Sequence, residues 1–137
     1  MTDAILIVAP HDLERRRLRK TLSEAGYVVW DALNAVEALL STLRKRPDLI
    51  ILAEEIPPLS AIEVLRVIRQ ITTVPVMIMG GGDETKEVTA LEVGADFYQR
   101  RPVERREFVA RVRSLIRRRR GSANQPILHT LQLRAAV

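Results

Sequence analysis

Residues 48–53 read Asp48-Leu49-Ile50-Ile51-Leu52-Ala53, five apolar side chains in a row behind one acid. A strand with one wet face alternates polar and apolar residues, whereas an unbroken run of this length fits a strand covered on both faces. Ala4-Ile5-Leu6-Ile7-Val8 and Val74-Pro75-Val76-Met77-Ile78-Met79 repeat the pattern, Tyr27–Trp30 is a shorter version, and Ala95-Asp96-Phe97-Tyr98 reads as a fifth strand. Pro75 stands near the start of its run, where a missing N–H costs least.

Between these runs the period changes to that of a helix. Leu13, Leu18, Leu22 and Ala25 follow His11 or Asp12 and stop at Gly26. Asn34 can cap a helix carrying Leu39, Leu40 and Leu43, and Ser60, after the turn Ile56-Pro57-Pro58-Leu59, one carrying Ile62, Leu65 and Ile68. Asp83 opens a helix through Val88, Leu91 and Val93 to Gly94; Pro102 precedes the last, with Phe108, Val109, Val112, Leu115 and Ile116 on one stripe. Five strand–helix units in tandem predict a doubly wound α/β domain, a (βα)5 parallel sheet with helices on both faces. Function is expected at the carboxyl ends of its strands.

The domain is expected to span 1–120, followed by a polar linker at 121–126. Residues 127–137 then form a strand-like stub that either pairs with a sheet edge or begins a second domain. Charge divides along the same line. Residues 1–99 hold eleven Lys and Arg against fifteen Asp and Glu, whereas residues 100–120 hold ten Arg against Glu104 and Glu107. The basic segment suits nucleic acid, an acidic partner or an acidic face of a second copy, and the plainer alternative is a solvated helix end opposing its dipole.

Composition narrows the chemistry. There is no cysteine, so disulfides, thiolate metal sites and thiol catalysis are excluded, and His11 and His129 are too few for a histidine zinc site. Met1-Thr2-Asp3 lacks a basic leader and no apolar run spans a bilayer, so a cytoplasmic protein with no membrane association is expected. No G-x-G-x-x-G follows the first strand, and no nucleophile stands with a base; neither an enzyme nor a cofactor is expected.

The landmarks Ile5–Val8, Glu24-Ala25-Gly26-Tyr27, Pro47–Leu52, Pro57, Val64-Leu65-Arg66, Val74-Pro75-Val76, Leu91–Asp96 with Tyr98, and Arg111-Val112-Arg113 together resemble the response regulator receiver domain of two-component signalling. The resemblance covers residues 4–119 and implies a flavodoxin-like strand order of 2-1-3-4-5. It implies two acids after strand one and an aspartate ending strand three, which hold Mg²⁺ and accept a phosphoryl group. It also implies a hydroxyl residue after strand four and a lysine after strand five. Those places are taken by Ala9 and Pro10, Ala53, Gly80 and Arg101, the last followed by the family's proline, Pro102. Carbon in place of oxygen neither binds Mg²⁺ nor attacks phosphorus. The resemblance therefore implies a degenerate pseudo-receiver acting without aspartyl phosphorylation.

Glu54 is expected to face away from Ala53's side, and Asp12 to cap its helix, leaving rescue by Asp12 and Glu55 a minor route. Arg101 is expected to pair with Glu55. An alternative is an acidic small molecule held by Arg100, Arg101, Gly81 and Gly82, although Asp83 and Glu84 oppose an anion there.

Arg117–Arg120, the linker and Pro126–Leu133 resemble the passage into the winged-helix effector of the OmpR/PhoB subfamily. That implies a transcriptional regulator which contacts DNA only through a domain absent from this chain. It also implies a homodimer through the fourth helix, fifth strand and fifth helix, using Glu87, Asp96, Phe97, Glu107, Arg111 and Arg113. Glu87 and Phe97 depart from the subfamily's charges; Phe97 either makes a more apolar, permanent dimer or, with Tyr98, packs within its own domain. A stand-alone adaptor acting through protein contacts is the competing reading.

Overall fold

The computed structural model describes residues 2–123. Its strands are β1 (Ala4–Val8), β2 (Val28–Ala32), β3 (Leu49–Ala53), β4 (Glu55–Ile56), β5 (Leu59–Ser60), β6 (Val76–Gly80) and β7 (Phe97–Arg100). Its helices are α1 (Asp12–Glu24), α2 (Ala35–Lys45), α3 (Ala61–Ile71), α4 (Glu84–Val93) and α5 (Arg105–Ala123). The main sheet is parallel throughout, in the order β2-β1-β3-β6-β7, which is the expected 2-1-3-4-5 of the strand–helix units.

Alternation along the strands sorts the core into two layers. Leu6, Val8, Ile50, Leu52, Val76 and Ile78 face α2, α3 and α4, while Ile5, Ile7, Leu49, Ile51, Met77 and Met79 face α1 and α5. Both faces are covered, so β1, β3 and β6 are buried along their whole length. Each fully buried Ile or Leu contributes about 1.5–3 kcal/mol.

Local chemistry sets the helix starts. Asn34 accepts the Glu37 N–H, Asp83 accepts the Lys86 N–H, and Ser60 and Glu63 form a reciprocal capping box. Asp12 does not cap α1. His11 holds the cap position without a side-chain bond, and Asp12 lies inside the first turn, hydrogen-bonded to Arg15 at 2.5 Å.

Other boundaries also differ from the sequence reading. Strand four begins at Val76 rather than Val74 and takes in Gly80, and strand two is shifted to Val28–Ala32. Strand five is Phe97–Arg100, because the Asp96 carboxylate accepts the Val76 N–H at 2.8 Å and ends the preceding turn. The turn at Pro57-Pro58 carries a small antiparallel pairing, Glu55 with Ser60 and Ile56 with Leu59. α5 continues through Gly121 to Ala123, past the point where a linker was expected to begin. The remainder of that linker and the 127–137 stub lie outside the described residues.

Several large apolar side chains face solvent. α2 seats Ala35, Ala38 and Thr42 on the sheet and leaves Leu40 and Leu43 exposed; α4 seats Ala90 and exposes Val88 and Leu91. Small side chains at the contact let a helix approach the sheet closely, which turns its larger residues outward.

Candidate functional site

The carboxyl ends of β1, β3 and β6 meet at Ala9, Ala53 and Gly80. Ala9 and Ala53 are 1% and 5% exposed, on the α1–α5 layer. The Ala9 N–H donates to Ala32 O at 3.2 Å, while Arg15 folds back to donate to the carbonyls of Ala9 at 2.9 Å and Pro10 at 3.4 Å. A guanidinium therefore braces the β1–α1 loop. Asp12 is held below the usual carboxylate range by its hydrogen bond to that same guanidinium.

This donor set does not fit Mg²⁺. The side chains of Ala9, Pro10 and Ala53 offer no oxygen, and Asp12 and Glu14 are each committed to an arginine. Among the described residues, no group of three His, Asp or Glu side chains is placed to hold a metal ion.

Glu54, one residue beyond Ala53, turns to Tyr98, whose ring belongs to the opposite core layer. The Tyr98 hydroxyl donates to Glu54 Oε2 at 2.5 Å and accepts the Gly82 N–H at 3.2 Å. Lys86 Nζ stands 3.6 Å from Glu54 Oε1. The Tyr98–Glu54 contact occupies the place of a missing side chain. A Cβ on Gly80 would lie 1.9 Å from Glu54 Oε2 and 2.0 Å from the Tyr98 oxygen. Burial is the main cause that raises the Tyr98 phenol above its ordinary pKa, and the bond to Glu54 adds to it.

Arg101 pairs with Glu14 of α1, not with Glu55. The guanidinium meets both carboxylate oxygens, at 2.6 and 3.0 Å, a fork geometry that ties the β7–α5 loop to the first helix. The correction has a simple cause: Glu14, on the turn of α1 nearest that loop, presents a half-buried carboxylate, whereas Glu55 is exposed. Arg100 turns to Glu87 at 2.8 Å. The expected anion cradle thus has both its arginines already answered by carboxylates. Gly81 is exposed, and the Gly82 N–H is spent on Tyr98.

Beside these residues lies a cavity of about 970 Å³ between α1 and the start of α5. Ala53 and Met79 form its floor, Leu18, Val103 and Phe108 its walls. Its position at the strand ends is where ligands of doubly wound sheets bind.

The residues named for an interface are divided by the fold. Phe97 packs partly into the α1–α5 layer, and the Arg111 guanidinium lies 4.2 Å above its ring. Asp96 is bonded to Arg69 at 2.9 Å, and Glu107 is exposed near the start of α5. Arg113 lies beside the Tyr27 hydroxyl, on the β2 side of α5 and away from Phe97. Sequence reasoning missed Val88 and Leu91, 47% and 46% exposed on α4, because both fit an apolar stripe. It also missed Arg15, Glu14 and the contact between Tyr98 and Glu54. Among the described residues no helix is long and apolar enough to cross a membrane.

The family model for the response regulator receiver domain matches residues 5–113. The chain is 34% identical over 129 residues to the transcriptional regulatory protein KdpE of Mycobacterium tuberculosis, covering 92% of this chain and 57% of that protein. It is 38% identical over 116 residues to the response regulator MprA of Mycobacterium leprae, covering 83% and 51%. The chain thus spans about half the length of the curated relatives it matches. In solved structures, a two-component response regulator from Clostridium difficile superposes with a TM-score of 0.82 at 26% identity, covering 85% of this chain and 98% of that one. A receiver domain from Clostridium thermocellum gives 0.80 at 27%, covering 86% and 97%. With its sheet order, its match over residues 5–113 and these relatives in agreement, the chain belongs to the response regulator receiver domain family.

Proposed function

We propose that this chain is the regulatory half of a transcriptional response regulator and works without aspartyl phosphorylation. Ala53 carries the reading: it ends β3, at the position where the family resemblance calls for the accepting carboxylate. Ala9 and Pro10 remove the metal-binding oxygens as well. The transcriptional role is supported by the likeness to KdpE, described as a transcriptional regulatory protein. DNA contact would come from a domain outside this chain.

In this proposal the output is self-association through α4, β7 and α5. The exposed pair Val88 and Leu91, with Phe97 under Arg111, supports an apolar contact. A surface of that kind suits a dimer that persists without a phosphate trigger.

Titration with Mg²⁺ and beryllofluoride, a phosphoryl mimic, tests the proposal, read by calorimetry and amide chemical shifts. No saturable binding is expected. Micromolar binding with shifts clustered at Ala53 and Gly80 would overturn it.

A further inference from the structure

We infer that the cavity over Ala53 binds an amphipathic acid, an extended apolar body ending in one carboxylate. This inference rests on the reading that no phosphoryl group or Mg²⁺ uses the site. The cavity's 970 Å³ lies near the top of the ~300–1,000 Å³ typical of small-molecule sites. Ala53, Met79, Leu18, Val103 and Phe108 give it an apolar lining over most of its surface, with His11, Thr21, Glu54 and Glu55 among the polar residues beside them. Each methylene buried against such a surface tightens binding about fourfold.

Charge at the rim selects the other end of the guest. Arg101 is neutralised by Glu14, Arg105 by Glu24, and Glu54 is engaged by Tyr98 and Lys86. Arg17 and Lys20 also line the cavity, and among the described residues neither has a carboxylate within ion-pair distance. With Leu13, which is 62% exposed, they recur at i, i+4 and i+7, one stripe along the lip of α1. Glu55 stands at the other end, just past β3, and repels an anion there. The carboxylate of a guest therefore lies by Arg17 and Lys20, with its tail running to Ala53. A cationic guest has Glu55 to meet at one end but two unanswered cations at the other, and a neutral one forgoes the charge pairing.

Decanoate is the probe, with decanol and decyltrimethylammonium as controls, titrated into the full chain and followed by calorimetry and amide chemical shifts. Decanoate is expected to bind one saturable site, shifting Ala53 and Phe108, and decanol to bind at least tenfold more weakly. The exposed double change Arg17→Glu with Lys20→Glu leaves the melting temperature in place and weakens decanoate at least tenfold, without weakening decanol. Ala53→Phe fills the floor and blocks both. Three outcomes would each overturn the inference: no saturable decanoate binding, equal affinity for decanol, or indifference to the double change. Mg²⁺ with beryllofluoride, run in parallel, separates the two failures. Binding of that mimic defeats the phosphorylation-independent reading itself, whereas silence from both probes defeats only the amphipathic acid.

Discussion

Tyr98 donates a hydroxyl hydrogen bond to Glu54 inside the volume that a side chain at position 80 would need. The two residues are 44 positions apart and 2.5 Å in contact, and the glycine between them makes the contact sterically allowed. Gly80→Ser puts a Cβ within 2.0 Å of both oxygens, so the pair has to separate. Overpacking of this kind costs about 1–3 kcal/mol. Urea unfolding is expected to show that loss, with the Tyr98 ring resonances moving toward those of an exposed phenol. Unchanged stability and unchanged resonances would show that the clasp is not held by the glycine.

Removing the hydroxyl alone costs two hydrogen bonds. Tyr98→Phe leaves Glu54 with Lys86 but takes the acceptor from the Gly82 N–H, so a loss of roughly 2 kcal/mol is expected, about 1 kcal/mol for each bond. In Gly80→Ser with Tyr98→Phe, the clash is relieved in part. The combined loss is expected to fall below the sum of the single losses, which a double-mutant cycle measures.

The same phenol sets a pH limit. Its folded pKa is raised above 10.0, so its contribution to stability is fully present below pH 10 and is lost as pH rises toward the folded value. Tyr27 is raised as well, again chiefly by burial. Absorbance at the phenolate band is expected to show neither of the two tyrosines ionising at its ordinary pH in the folded chain. A normal titration of both would contradict the burial seen at Tyr98. On the acid side, Glu104 is held below its ordinary 4.5 by the N–H groups of Glu107 and Arg106. The cap it gives α5 is present above that ordinary value and disappears as pH falls through the lower folded one.

Restoring one carboxylate does not restore the chemistry. Ala53→Asp is expected to leave Mg²⁺ and beryllofluoride unbound, because Ala9, Pro10 and Gly80 still lack oxygens. An uncompensated acid at a 5%-exposed position also destabilises the fold by several kcal/mol. Calorimetry and urea unfolding read the two effects separately.

If association runs through α4, β7 and α5, a charge placed on its apolar part disperses it. Leu91→Asp and Phe97→Asp are expected to weaken the dimer at least tenfold in sedimentation equilibrium, while Leu40→Asp on the distant α2 leaves it intact. Leu91 is exposed, so its replacement does not disturb the core. An unaltered association state in both variants would remove this face from consideration.

The sheet was legible because runs such as Leu49–Leu52 are apolar on both faces, a pattern few other architectures need. The caps at Asn34, Ser60 and Asp83 were legible for an equally local reason. What escaped depends on contacts between distant segments. A glycine at position 80 announces a missing side chain but not that Tyr98 and Glu54 fill the space. Arg101 had acids at 14, 54 and 55 within reach, and the choice of Glu14 is made by where α1 packs. Leu40, Val88 and Leu91 fit helical stripes as well as their alanine neighbours do, so spacing alone pointed the wrong residues inward.

α5 is laced to the first strand–helix unit by ion pairs: Arg101 with Glu14 just before it, then Arg105 with Glu24 and Arg120 with Asp3. The last of these joins residues 117 positions apart, so the two ends of the folded body are side by side. Chain order is then separable from architecture. A circular permutant joined between residues 123 and 2 by a short polar bridge, and opened at the exposed Thr73, keeps all four parallel strand pairings and every helix.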